Sequence, residues 1–180
     1  KNYHAVTIAF GFNCHTFDGH INGYYGRKGQ GYRIADSYLC SGHNLLVEGG
    51  YSSESGENYG LTGYKCTGCW YTDSIAKDCR HGFLLQASSL FTIRDCQSWG
   101  DLISGFDLHG ALEYDTVLEN CLAIRSNQHT GDANNGAGYR AGNTSHTPGS
   151  KHVSMINCIA VGYKETNCAG FDFLPDSENI

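Results

Sequence analysis

Acid and base side chains recur at matched places along this 180-residue chain. Arg80-His81 stands before Gly82, Asp107 is followed two residues later by His109, and Arg140 and Asp172 occupy corresponding places in two later segments. These residue types support two chemistries. In a hydrolysis, Asp107 and Asp172 are the carboxylate pair. On stacked strands they fall two strands apart, roughly 9.6 Å, near the span of about 6.5–9.5 Å that admits water between the carboxyls of an inverting glycosidase. Arg140 between them holds one carboxylate ionised, which suits a base and not an acid. In an elimination on a uronic acid, Arg80 or Arg140 neutralises the sugar carboxylate with its planar fork. His81 or His109 then takes the C5 proton, because imidazole titrates near neutrality. The residue types leave both open. Two plainer alternatives stand beside them: Asp107, Arg140 and Asp172 as a surface charge ladder, and His81 as a hydrogen-bond partner for the backbone.

Such residues converge only if the chain repeats in space, and the sequence does repeat. Gly82-Phe83-Leu84-Leu85, Gly105-Phe106-Asp107-Leu108, Gly138-Tyr139-Arg140-Ala141 and Gly170-Phe171-Asp172-Phe173 open successive segments. A base period of about 23 residues with insertions fits a solenoid. Leucine is too sparse for a leucine-rich repeat and no helical period appears, so the expected fold is all-β: a single-stranded right-handed parallel β-helix of about six coils. Side chains alternate between the faces of a strand. If Phe83, Phe106, Tyr139 and Phe171 point inward, so do Leu85, Leu108, Ala141 and Phe173, while Leu84, Asp107, Arg140 and Asp172 form an outer row. On that outer row Asp107 and Arg140 are expected to be salt-bridging neighbours. A second strand carries Phe91 and Ile93, Thr116 and Leu118, and Val153 and Met155. Asp95, Asn120 and Asn157 then stack at a bend, and Cys69, Cys96, Cys121 and Cys158 form a column of small interior filler.

The length suggests one domain over residues 1–180, within a longer chain. Residues 1–31 make an irregular or poorly placed first coil, and long loops are inserted near 122–138 and 142–152. Charged residues are only 17% of the chain and the net charge is −6. Without a basic run, this argues against nucleic acid as a partner. No apolar stretch is long enough for a membrane span. Nine cysteines cannot all pair within the chain, and their repeat-locked positions favour buried thiols. Cys66-Thr67-Gly68-Cys69 has the spacing of half a zinc site and lacks the other half, so no metal and no cofactor is expected.

Arg80-His81-Gly82-Phe83, Asp107-Leu108-His109-Gly110, Glu119-Asn120-Cys121 and Gly138-Tyr139-Arg140, in this order, resemble the pectate-lyase-like right-handed β-helices of bacteriophage tailspikes over roughly residues 60–175. The resemblance implies a homotrimeric phage adhesin of the virion tail, folded in the host cytoplasm. It further implies a bacterial surface polysaccharide (capsule, exopolysaccharide or O-antigen) as the partner that is bound and cleaved. The site it implies has Asp107, His109, His81 and Asp172 as catalytic groups and Arg80 and Arg140 as substrate-binding groups. The alternatives are a non-catalytic glycan-binding or structural β-helix of a tail fibre, and a cellular uronate lyase or epimerase of the same fold; the alternative location is secreted. The Arg80-His81-Gly82 triplet is also similar to one in alginate and chondroitinase-B-type lyases, but the calcium and base motifs of that group are absent.

Overall fold

The computed structural model describes residues 4–24, 29–49, 58–108, 113–125, 136–142, 150–163 and 168–174. Seventeen strands and no helix are found there. A seven-stranded parallel sheet runs in the order β1 (His4–Ala9), β3 (Gln30–Ala35), β5 (Tyr59–Tyr64), β8 (His81–Gln86), β11 (Ser104–Leu108), β14 (Ala137–Ala141) and β17 (Ala169–Phe173). A ten-stranded sheet contains β2 (His15–Asn22), β4 (Ser41–Glu48), β6 (Trp70–Thr72), β7 (Ile75–Lys77), β9 (Thr92–Arg94), β10 (Gln97–Trp99), β12 (Val117–Glu119), β13 (Leu122–Ile124), β15 (Ser154–Ile156) and β16 (Ile159–Val161). All pairings between strands are parallel and none joins chain neighbours. This is a β-solenoid, as the repeat predicts.

The second sheet is folded along its length, and the sequence shows why. β4 pairs with β6 through Ser41–His43 and with β7 through Leu46–Glu48. The two halves meet at Asn44, whose φ is 50°. Asp18, Asn44, Asp73, Asp95, Asn120 and Asn157 all stand at this corner with φ between 50° and 56°. Asn and Asp tolerate the left-handed region better than other residues with a Cβ. Their side chains also tie one rung to the next: Asn120 Nδ2 donates to Asp95 Oδ1 at 3.0 Å, and Asn157 Nδ2 donates to Asn120 Oδ1 at 3.2 Å. The amide ladder expected at Asp95, Asn120 and Asn157 is therefore present. A line of isolated parallel bridges, Phe12–Tyr38–Thr67–Ser89–Tyr114–Lys151, adds a further narrow face.

The interior of the seven-stranded sheet follows the alternation. Phe83, Phe106, Tyr139 and Phe171 pile face to face, with centroids 4.8, 4.9 and 4.9 Å apart and planes within 10°. That spacing is the strand separation itself. Leu85, Leu108 and Ala141 are buried beside the pile. Each aromatic pair adds about 0.5–1.5 kcal/mol beyond the area it buries.

Two features depart from simple alternation. First, the glycine before each aromatic also faces inward. A Cβ on Gly105 would lie 2.9 Å from the Ala123 Cβ inside the solenoid and 2.9 Å from the carbonyl of Gly138 on the next rung. Glycine and aromatic thus both turn to the core, as at a bulge, and the residue before the glycine returns to the outer side. Secondly, the cysteines form two columns and not one. Cys14, Cys40 and Cys69 precede β2, β4 and β6, and Cys40 N lies 3.3 Å from Cys69 Sγ. Cys96, Cys121 and Cys158 precede β10, β13 and β16, one corner further along the rung. Counting residues from cysteine to cysteine merges these columns, because Cys69 and Cys96 both end short apolar segments. The expected insertions lie partly at 126–135 and 143–149, outside the described residues.

Candidate functional site

The outer row has the expected register. Leu84 pairs with Asp107, Asp107 with Arg140, and Arg140 with Asp172. The partners are chosen differently. Asp107 Oδ2 lies 2.7 Å from His81 Nδ1, and the two side chains are only 0% and 5% exposed. The inward-facing Gly82 makes this contact possible, since it returns His81 to the outer side. The Tyr59 ring stands edge-on to His81 at 5.3 Å. Arg140 Nε donates to Asp172 Oδ2 at 3.0 Å, with 15% and 30% of the side chains exposed. Arg80 is half-buried, and its peptide group is held between strands: its N–H donates to Asn58 O at 2.8 Å and its carbonyl accepts from Ile103 N–H at 2.9 Å. His109 lies outside the described residues.

Chemically, the His81–Asp107 pair is an imidazole and a carboxylate in close contact and withdrawn from water. An ion pair of this kind is costly to desolvate and depends on its partner. It fixes two neighbouring strands; neither group is presented to a ligand lying along the outer row.

A second polar constellation sits on β2, β4 and β6, and sequence reasoning did not single it out. His15 Nδ1 and His43 Nε2 flank the Ser41 hydroxyl at 2.7 and 2.8 Å. His43 Nδ1 is 2.6 Å from Thr72 Oγ1. Trp70 Nε1 donates to His43 Nε2 at 3.3 Å. That donation makes His43 Nε2 an acceptor, so its Nδ1–H donates to Thr72 Oγ1; His15 Nε2–H donates to Asn13 Oδ1, and the single Ser41 hydroxyl proton lies between His15 Nδ1 and His43 Nε2. The Phe17 ring stacks on His43 at 4.7 Å and 7°. A hydroxyl, a base and a group orienting the base are the parts of a nucleophilic site. Ser41 is 0% exposed beneath them, so here the hydroxyl works as a bridge between rungs. The signal for this cluster was in the frame of the cysteines: Cys14-His15, Cys40-Ser41-Gly42-His43 and Cys69-Trp70-Tyr71-Thr72 align residue for residue once the first column is recognised.

A third group is a buried corner. Ser98 Oγ donates to Asp101 Oδ2, and Cys79 N–H donates to Asp101 Oδ1 at 2.8 Å. Burial pushes the Asp101 carboxyl up to about 8 against these hydrogen bonds, so it is held largely as the neutral acid at pH 7. Among the described residues, no group of three or more His, Cys, Asp and Glu side chains is arranged to hold a metal ion. No helix there is long and apolar enough to cross a membrane.

No family model and no curated protein matches this chain. Among solved structures it is similar to QnrB1, a plasmid-mediated fluoroquinolone resistance protein, at 9% identity and a TM-score of 0.20, over 92% of each chain. The expected partner, a bacterial surface polysaccharide met by a homotrimer, is corrected at this point. In the solenoid itself, the Asp107 and His81 side chains that were to line a sugar groove are closed on each other and shielded from solvent.

Proposed function

We propose that this chain is a non-catalytic solenoid module of a tailspike- or tail-fibre-like virion protein, wound right-handed as parallel crossovers favour. The observation that carries this reading is the burial of the His81–Asp107 pair at 2.7 Å. The two best acid–base groups of the sequence are spent on holding adjacent strands. The contact surface lies elsewhere. Phe12, Phe17 and Tyr38 are 72%, 62% and 58% exposed on adjoining faces around the His15–Ser41–His43 network. Exposed apolar groups gathered in one area mark surfaces that meet a partner, and aromatic side chains are enriched in such contacts.

The test sets this reading against an enzymatic one. The folded protein is incubated with a panel of uronate-containing and neutral polysaccharides. New reducing ends and the ultraviolet absorbance of unsaturated sugars are followed. No product by either readout is expected. Turnover that disappears in Asp107→Asn while the circular dichroism spectrum is kept would replace the module by an enzyme.

A further inference from the structure

Asp101 stands on the turn 100–103 between β10 and β11, on a middle rung of the solenoid. Its carboxyl is buried. Both oxygens accept from neutral donors: Cys79 N–H reaches Oδ1 at 2.8 Å, and the Ser98 hydroxyl reaches Oδ2. Among the described residues no cation contacts it. The titratable groups around it are Tyr24, Asp78, Cys79 and Tyr163. Burial pushes both tyrosine hydroxyls up, which keeps them neutral, and Asp78 adds a like charge. Arg125 lies over Tyr163, 5.9 Å from the ring centre, and its Nη1 donates to Cys168 Sγ at 2.7 Å. A carboxyl with neutral donors and no counter-charge is stable in an interior as the acid and not as the anion.

The same carboxyl rests on Gly82. A Cβ at Gly82 would lie 2.5 Å from Asp101 Oδ2 and 2.8 Å from the Gly105 carbonyl, and would also strike Ser98 Oγ. The Ser98–Asp101 contact thus fills the inner side of Gly82, while the adjoining His81 meets Asp107 on the outer side at 2.7 Å. Two backbone bonds tie the same segments together: Leu102 N–H donates to Cys79 O at 2.8 Å, and Ile103 N–H to Arg80 O at 2.9 Å. An ionised Asp101 has to reach water, and the turn carries it there by pulling away from residues 79–82.

We propose that this corner is a proton-controlled latch: protonated Asp101 holds residues 79–82 against the turn 100–103, and loss of its proton opens the corner and frees His81 from Asp107. The step is an acid dissociation. The Asp101 O–H bond breaks, the proton goes to water, and the carboxylate is hydrated in the open corner. In the closed corner burial holds the carboxyl up at about 8; in the open one it returns to its ordinary 3.8. The open state therefore binds fewer protons between these values. Opening becomes about tenfold more favourable per pH unit across that interval and levels off above it.

The test follows amide hydrogen exchange of the folded chain from about pH 5 to about pH 9, corrected for the intrinsic rate, because exchange reads local opening separately from global unfolding. Protection at the Cys79, Leu102 and Ile103 amides should fall about tenfold per pH unit and level off above about 8. Labelling of His81 by diethylpyrocarbonate, mapped by mass, should rise with it relative to Asp101→Asn at each pH. In Asp101→Asn the corner amides should keep constant protection. Ser98→Ala removes a donor that favours the anion, so its levelling-off should move to higher pH. Flat protection in the wild type overturns the proposal, as does an unchanged slope in Asp101→Asn. Equal exchange at the corner and at Phe106 in the pile also overturns it, because the opening is then global. So does a corner that opens while His81 is labelled no faster than in the variant.

Discussion

Two acid–base pairs lie one rung apart on the same outer row, and their surroundings differ. His81 and Asp107 meet at 2.7 Å with their side chains almost fully buried; Arg140 and Asp172 meet at 3.0 Å with theirs partly in water. Asp107 and Arg140 are direct register neighbours. Register delivers Arg140 to Asp172, the inward turn of Gly82 delivers His81 to Asp107, and burial decides what each contact is worth. A buried pair relies on its partner to offset desolvation. A pair in water gains little, because solvent and salt already screen it.

The largest effect should come from breaking the buried pair. Asp107→Ala leaves His81 without its carboxylate in a desolvated place and should cost about 3–5 kcal/mol, measured by denaturant unfolding. A loss under about 1 kcal/mol would erase the contrast between the two pairs. Asp101 sharpens it from the other side, being a carboxyl that burial keeps protonated instead of paired. Its folded-state pKa is raised to about 8 from an ordinary 3.8. The folded state therefore binds more protons than the unfolded one between these values, and stability falls as pH rises across that interval. The contribution is complete below about pH 4 and gone once pH has passed through about 8. Asp101→Asn should remove this part of the pH dependence, so the stability difference between wild type and variant should shrink or change sign from pH 4 to 9. A constant difference would show that Asp101 is already ionised in the fold.

What the sequence disclosed follows the same division. The interior pile was legible at Phe83, Phe106, Tyr139 and Phe171, because each repeats the same type at the same phase and the core accepts little else. The register of Asp107, Arg140 and Asp172 came with it. The pairing did not. Strict alternation places His81 on the side of Phe83, and only the inward turn of Gly82 puts it beside Asp107; one irregular residue per strand is invisible to a period-two count. The His15–Ser41–His43 network was missed for a related reason. Its members share no residue type from rung to rung, and only the Cys14–Cys40–Cys69 column, hidden by merging it with Cys96, aligns them.

The corner ladder gives a middle-sized effect that depends on neither charge nor burial. Asn120 is exposed, stands at φ 54° and links Asp95 to Asn157. Asn120→Ala should cost about 1–2 kcal/mol, the penalty for a Cβ residue forced into the left-handed region. Asn120→Gly should recover most of that loss, since glycine adopts this conformation freely. If both variants lost equally, the side-chain ladder would matter more than the backbone, and the corners would belong with the buried pair.

The smallest effect is expected at Arg140. Its guanidinium donates to Asp172, and water reaches both groups. Arg140→Ala should shift stability by only about 0–1 kcal/mol, and that shift should diminish in high salt because exposed charges are screened over about 10 Å at 0.1 M. A double-mutant cycle with Asp172→Ala isolates the pair from the packing of the arginine stem, which also covers its neighbours. If the coupling energy reaches that of the buried pair and ignores salt, then the outer row is as dry at Arg140 as at Asp107. The division between rungs would then fail, because burial would no longer separate the two contacts.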